Sequence, residues 1–135
     1  MKVIAQRVKS AKVLKEDEVI SEIGEGFVVY VGVERNEEEK AIYWFVDKLK
    51  EKLKENEEVL ILSQFTLLAQ FKNAKPSFHR AEEHFKAKEY FENVVKKTRA
   101  ELSRRVKSGV FGVYLQILQE FESVNAELWE SSNNL

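Results

Sequence analysis

Ser63 and Thr66 are the hydroxyls best placed to do chemistry in this chain. They follow the apolar run Val59-Leu60-Ile61-Leu62, and the end of such a strand is where α/β sheets commonly place reactive groups. Neither has a base beside it in sequence, so a Ser–His mechanism would require His79 or His84 to fold back onto the strand end. The two histidines lie five residues apart, whereas a metal pair on one helical face needs a spacing of four. Surface or capping positions suit them better. With no Cys in the chain, disulfides, zinc ribbons, thiol nucleophiles and iron–sulfur sites are excluded together. A Gly-rich phosphate loop, a nucleophile elbow and an Asp-rich cluster are also missing, so neither metal nor cofactor is expected.

The elements that must position these groups follow from periodicity. Val3, Ala5 and Val8, then Ala11, Val13 and Leu14, then Val19 to Ile23 read as strands, with a turn in residues 15–18. Gly24-Glu25-Gly26 supplies the next turn, and residues 27–33 form a β-branched and aromatic run suited to a buried strand. Asn36 is placed to cap a helix whose apolar face is Ile42, Phe45, Val46, Leu49 and Leu53. The strand 59–62 comes next, so strand, helix and strand suggest a right-handed βαβ crossover. After a loop around residues 73–76, a second helix is expected over residues 80–102, with Phe85, Phe91, Val94, Val95, Thr98 and Leu102 facing inward. Gly109-Val110-Phe111-Gly112 should turn into a strand over 113–118, residues 126–129 form the last strand, and residues 131–135 a frayed tail.

The 135 residues suit one domain, 1–135, and 44% hydrophobic with 33% charged residues describes a globular chain. The longest uncharged run, residues 59–71, is too short to span a bilayer. No basic-then-apolar leader precedes a cleavage site, so a soluble, cytoplasmic protein is expected, with no membrane partner. The net charge of −1 conceals segregation: residues 34–58 hold six basic and nine acidic groups, whereas residues 72–107 hold eleven basic and five acidic. Such a block is either a solvated helix face or a surface for an anionic partner such as RNA.

Five segments in order resemble the D-aminoacyl-tRNA deacylases (D-tyrosyl-tRNA deacylase family). These are residues 2–8 (Lys-Val-Ile-Ala-Gln-Arg-Val); Ile23-Gly24-Glu25-Gly26-Phe27 with Val31-Gly32-Val33; Leu62-Ser63-Gln64-Phe65-Thr66-Leu67; Lys75-Pro76-Ser77-Phe78; and Gly109-Val110-Phe111-Gly112. The third matches the family's Ser-Gln-Phe-Thr-Leu motif. The resemblance implies an α/β domain with mixed sheets and two main helices. It implies a homodimer with its active site at the interface, no metal, aminoacyl-tRNA as partner rather than DNA, and hydrolysis of the ester joining a D-amino acid to tRNA. Ser63, Gln64, Phe65 and Thr66 would then form the catalytic segment, with main-chain N–H near Gln64 donating to the oxyanion. Arg7, Pro76, Ser77, Phe78, Phe111, Gly112 and Leu115 would serve substrate binding. Thr66 stands at the position once favoured for a nucleophile; the alternative leaves the chemistry to the terminal 2′-hydroxyl of the tRNA, which suits a site without a general base. A catalytically inactive tRNA- or protein-binding homologue, or a hydrolase of another small ester or amide, are the other readings of the same scaffold.

Two departures stand out. The family has a hairpin between the first helix and the strand at Val59, where this chain has the charged stretch 50–58. The family also ends in a Gly–Pro segment that excludes L-amino acids, and the corresponding residues 121–129 hold neither Gly nor Pro. The chain has a single proline, Pro76, which the Lys-Pro-Ser-Phe segment already uses. Relaxed chiral selectivity is therefore expected, with Arg7, which braces that segment in the family, left without its partner.

Overall fold

The computed structural model describes residues 1–131. Strands β1 (Lys2–Val8), β2 (Ser10–Lys15), β3 (Glu18–Ile23) and β4 (Gly26–Gly32) lead to helix α1 (Glu39–Lys52) and strand β5 (Glu58–Ser63). A 3-10 turn (Phe65–Leu68), the short strands β6 (Gln70–Lys72) and β7 (Lys75–Ser77), and helix α2 (His84–Glu101) follow. The chain closes with β8 (Val106–Ser108), β9 (Gln116–Glu120) and β10 (Glu127–Glu130). The main sheet has the order β10-β1-β4-β5-β8; a second sheet has the order β3-β2-β9; β6 and β7 form a hairpin.

Side-chain alternation along β4 and β5 builds three layers. Phe27, Val29, Val31, Val59 and Ile61 face α1 and α2, where Phe45, Val46, Leu49, Phe91, Val94 and Val95 complete the larger core. Val28, Leu60 and Leu62 face the other way and meet Ala11, Val13 and Ile23 of the second sheet. Pairing β4 with β5 in parallel across α1 is the expected βαβ connection. It requires glycine at position 26, because a Cβ there would fall 1.9 Å from the Glu58 carbonyl oxygen.

Several boundaries differ from the sequence expectation. Asn36 does not cap α1; it takes a left-handed conformation (φ 57°), which asparagine tolerates, and Glu38 stands at the cap. Helix α2 begins at His84 rather than near residue 80. The preceding backbone is engaged elsewhere: Arg35 N–H donates to the Arg80 carbonyl (2.9 Å) and Glu82 N–H to the Val33 carbonyl (3.0 Å). Glu83 caps the helix by accepting from the Phe85 N–H at 2.8 Å. Phe85 is out of phase with the inward row formed by Ala87, Phe91, Val94 and Thr98, and it is 76% exposed instead of buried. The strand expected over 113–118 forms at Gln116–Glu120, where it pairs with β2. In place of the family hairpin, residues 53–57 make a short connection between α1 and β5. Of the expected tail, Ser131 is tied by its N–H to the Met1 carbonyl at 3.0 Å, and residues 132–135 lie outside the described residues.

Arg7 is not without a partner. Its Nε and a terminal nitrogen donate to the two carboxylate oxygens of Glu57 (2.9 and 3.1 Å), and it also donates to the Lys52 carbonyl at 2.8 Å. Its guanidinium lies over the Phe27 ring, 4.4 Å from the centroid. Burial pushes the Glu57 carboxyl up, but the Arg7 bonds and charge together with the Lys54 N–H bring it, on balance, below the usual glutamate value of 4.5. A carboxyl lowered on folding contributes stability above the unfolded value and loses it as pH falls through the folded value. Glu57→Gln is thus expected to cost about 2–3 kcal/mol at neutral pH. The gap to the native chain should narrow steadily below about pH 4.3, as urea unfolding measured across a pH series would register.

Candidate active site

The backbone exits β5 in a way that releases hydrogen-bonding capacity. Gln64 N–H still donates to the Val31 carbonyl at 2.9 Å, as the last bond of the parallel pairing. The chain then closes into the 3-10 turn, with Leu67 N–H donating to the Gln64 carbonyl and Ala69 N–H to that of Thr66. The N–H groups of Phe65 and Thr66 open this turn, and among the described residues nothing accepts from them. The donor pair near Gln64 is therefore Phe65 and Thr66, since the N–H of Gln64 itself is committed to the sheet.

Beside this exit lies a cavity of about 580 Å³ lined by Leu62, Ser63, Gln64, Phe65, Phe111 and Leu115, with Gly112, His84, Tyr30 and Tyr114 on its walls. Among the described residues, no Asp, Glu, Lys or Arg lines it. Ser63 and Gln64 are half-buried, while Phe65 and Thr66 are exposed. Thr66 Oγ1 accepts a hydrogen bond from the Gln64 side-chain amide, so its hydroxyl fixes that side chain. Tyr30 donates to the Gln119 side chain, and burial pushes its phenol up.

The remaining expected residues divide into three places. Phe78 packs edge-on against Phe65, centroids 5.1 Å apart, but neither it nor Pro76 and Ser77 of the β6–β7 hairpin line the cavity. Ser77 Oγ lies 2.9 Å from His79 Nδ1, and among the described residues no acid bonds to that imidazole to orient it. Arg7 is not brought to the cavity; it lines a separate groove with Ser123, Asn125 and Glu57. No group of three His, Asp or Glu that could hold a metal occurs among the described residues.

His84, expected at a surface or capping position, is exposed at the first position of α2 and also lines the cavity wall. Its ring lies 5.2 Å from the Phe111 ring and 5.3 Å from that of Phe85. The signal was available in the helix phase: counting back from Ala87 and Phe91 places position 84, not 85, on the inward row. Gly112 makes room for it. Its φ is +75°, and a Cβ at this position would stand 2.9 Å from His84 Cε1.

The family model for D-Tyr-tRNA(Tyr) deacylase matches residues 4–122. The chain belongs to this family. A D-aminoacyl-tRNA deacylase of Aquifex aeolicus is 35% identical over 135 aligned positions, covering 89% of this chain and 90% of the relative. One from Pseudoalteromonas translucida is 36% identical, and one from Drosophila melanogaster 33% identical, each over 87% of this chain. Among solved structures, a c-Myc DNA unwinding element binding protein superposes with a TM-score of 0.86 at 27% identity, covering 98% of this chain and 99% of its own. A probable eukaryotic D-amino acid tRNA deacylase shares the fold, with a TM-score of 0.75 at 17% identity over 95% of this chain.

Gly112→Ala is expected to destabilise the protein by about 1–2 kcal/mol, from the left-handed backbone alone. It should also displace His84. Urea unfolding would measure the first effect, and a shift of the His84 ring resonances in the NMR spectrum the second.

Proposed function

We propose that the protein hydrolyses the ester bond of D-aminoacyl-tRNA, releasing free D-amino acid and tRNA. The observation that carries this reading is the unpaired N–H of Phe65, which lines a cavity that no Asp, Glu, Lys or Arg lines among the described residues, with that of Thr66 beside it in the turn, in a chain of this family. When water adds to the ester carbonyl, its oxygen becomes an oxyanion, and donors already held in place stabilise it without reorganising. One such donor lowers the barrier by roughly 3 kcal/mol. The tetrahedral species collapses by releasing the ribose oxygen, which takes up a proton as it leaves.

Among the described residues the cavity wall supplies no carboxylate or amine as a base, and its one imidazole, His84, packs against Phe111 and Phe85 with no hydrogen-bond partner to orient it. Proton transfer therefore falls to the vicinal 2′-hydroxyl of the terminal ribose, which binding holds beside the reacting carbonyl. Thr66 acts by orienting Gln64, and Ser63 shapes the wall. Thr66→Val should accordingly lower kcat/KM by less than about tenfold, against the roughly 10⁴-fold or greater loss that follows removal of a covalent nucleophile. Single-turnover deacylation of D-tyrosyl-tRNA decides between them.

The chain acts as a homodimer in the cytoplasm in this reading. Tyr114 (86% exposed) and Val110 on the cavity wall and Leu118 on the edge strand β9 leave apolar surface that a second copy would cover. Light scattering should return twice the chain mass. Residues 121–126 carry no Gly–Pro element, and Asn125 holds them against β1 through paired bonds to the Arg7 N–H and carbonyl, both 2.8 Å. Chiral discrimination is then set by the cavity wall. The ratio of kcat/KM for D- over L-tyrosyl-tRNA should fall below about 100-fold, within the range that steric fit alone supplies. Side-by-side deacylation of the two substrates tests both statements: no turnover of either overturns the function, and strict D-selectivity overturns the relaxed filter.

A further inference from the structure

A second groove, of about 480 Å³, adjoins the active-site cavity and shares with it Gly109, Val110 and Phe111. Its far wall is α2. Lys88, Lys96 and Arg99 line it, with Glu92 as the one acid. The spacing of eight and three residues keeps all three cations on one helical face, spread over about 16 Å at 1.5 Å per residue. All three are exposed. Lys88 and Lys96 form no ion pair among the described residues, in contrast to Lys97, which pairs with Glu101. Arg99 donates its Nε to the Val106 carbonyl at 3.1 Å, which holds the side chain in place and leaves its terminal nitrogens without a protein partner among the described residues.

We infer that this groove carries the phosphates of the acceptor end of the tRNA whose terminal ester occupies the cavity. The inference rests on the proposed deacylase reading of that cavity. Among the described residues the cavity itself offers a polyanionic substrate no Lys or Arg. Phosphate contacts position a nucleic acid and base contacts specify it, so a cationic track joined to an uncharged pocket assigns the two tasks to two places. The groove lies immediately across the Gly109–Phe111 turn, and its three cations against one acid match the charge of successive phosphates. Val110 and Phe111 offer apolar surface at the shared edge, on which the penultimate base can stack.

The test compares the wild-type chain with a Lys88→Ala/Lys96→Ala variant, whose exposed side chains make no ion pair that folding would need. Uncharged tRNA is titrated over a salt series, and deacylation is followed with D-tyrosyl-tRNA and with 3′-O-D-tyrosyl-adenosine, which carries no phosphate. The variant should bind tRNA at least tenfold more weakly, with the slope of log K against log salt reduced by about 1.4–1.8, or 0.7–0.9 for each phosphate no longer neutralised. KM for D-tyrosyl-tRNA should rise by a similar factor, with kcat and hydrolysis of the adenosine ester changed less than twofold. Unaltered affinity and slope, or a wild-type chain that does not bind tRNA, overturns the groove assignment. Hydrolysis of neither ester by the wild-type chain, with tRNA binding still weakened in the variant, would instead overturn the deacylase reading and leave the groove as an RNA site.

Discussion

The site depends on where the parallel pairing of β4 and β5 ends. Up to the Gln64 N–H, every donor on that side of β5 goes to a neighbouring strand, and the last goes to the Val31 carbonyl. One residue later the 3-10 turn removes the chain from the sheet, and the N–H groups of Phe65 and Thr66 have no carbonyl to meet. Main-chain donors freed in this way are rigid, because the strand behind them is buried on both faces and cannot yield locally. An oxyanion hole built from them needs no flexible side chain and no metal. The contact at Gly26, where only a missing Cβ lets β4 approach Glu58, fixes the register from which all this follows.

Much of this frame was legible in the residues. The apolar runs of β4 and β5, separated by an amphipathic helix, imposed the crossover, and the Ser-Gln-Phe-Thr segment fell at the strand exit where α/β sheets open. Positions decided by tertiary pairing were not legible. Asn36 has the chemistry of a cap, but Glu82 accepts from its N–H at 2.9 Å and holds it in a left-handed turn instead. The start of α2 moved by four residues because residues 80–82 bond to the chain leaving β4, a contact about 46 positions away in sequence. Such pairings leave no local periodicity. His84 is exposed at the start of α2, as a surface or capping position requires, and its phase with Ala87 and Phe91 turns it to the cavity wall. The donors near Gln64 belong to Phe65 and Thr66, an assignment that follows only from the bond to Val31.

Arg7 shows how a motif residue can keep its type and change its company. Its charge is satisfied by Glu57 and the Lys52 carbonyl, so it closes the short connection between α1 and β5 that replaces the family hairpin. Its main chain receives Asn125, whose side-chain amide both donates and accepts as a paired strand residue would. Residues 121–126 are thereby laid along β1 without help from glycine or proline. The brace survives as backbone pairing, and the rigid projecting element does not.

Charge is distributed to match this division of labour. Residues 59–71 carry none, and they supply β5, the turn and one cavity wall, where an unpaired charge would cost several kcal/mol of desolvation. Residues 72–107 carry an excess of cations, of which α2 holds five against three acids, and its Lys88, Lys96 and Arg99 line the groove outside the cavity. An ester carbonyl gains most from fixed dipoles in a site of low polarity, because water would screen them. A phosphate chain gains most from mobile, solvated cations that exchange with counterions. Placing the two environments on opposite sides of the Gly109–Phe111 turn lets one substrate use both, and the net charge of −1 records only that the remaining acids balance the sum.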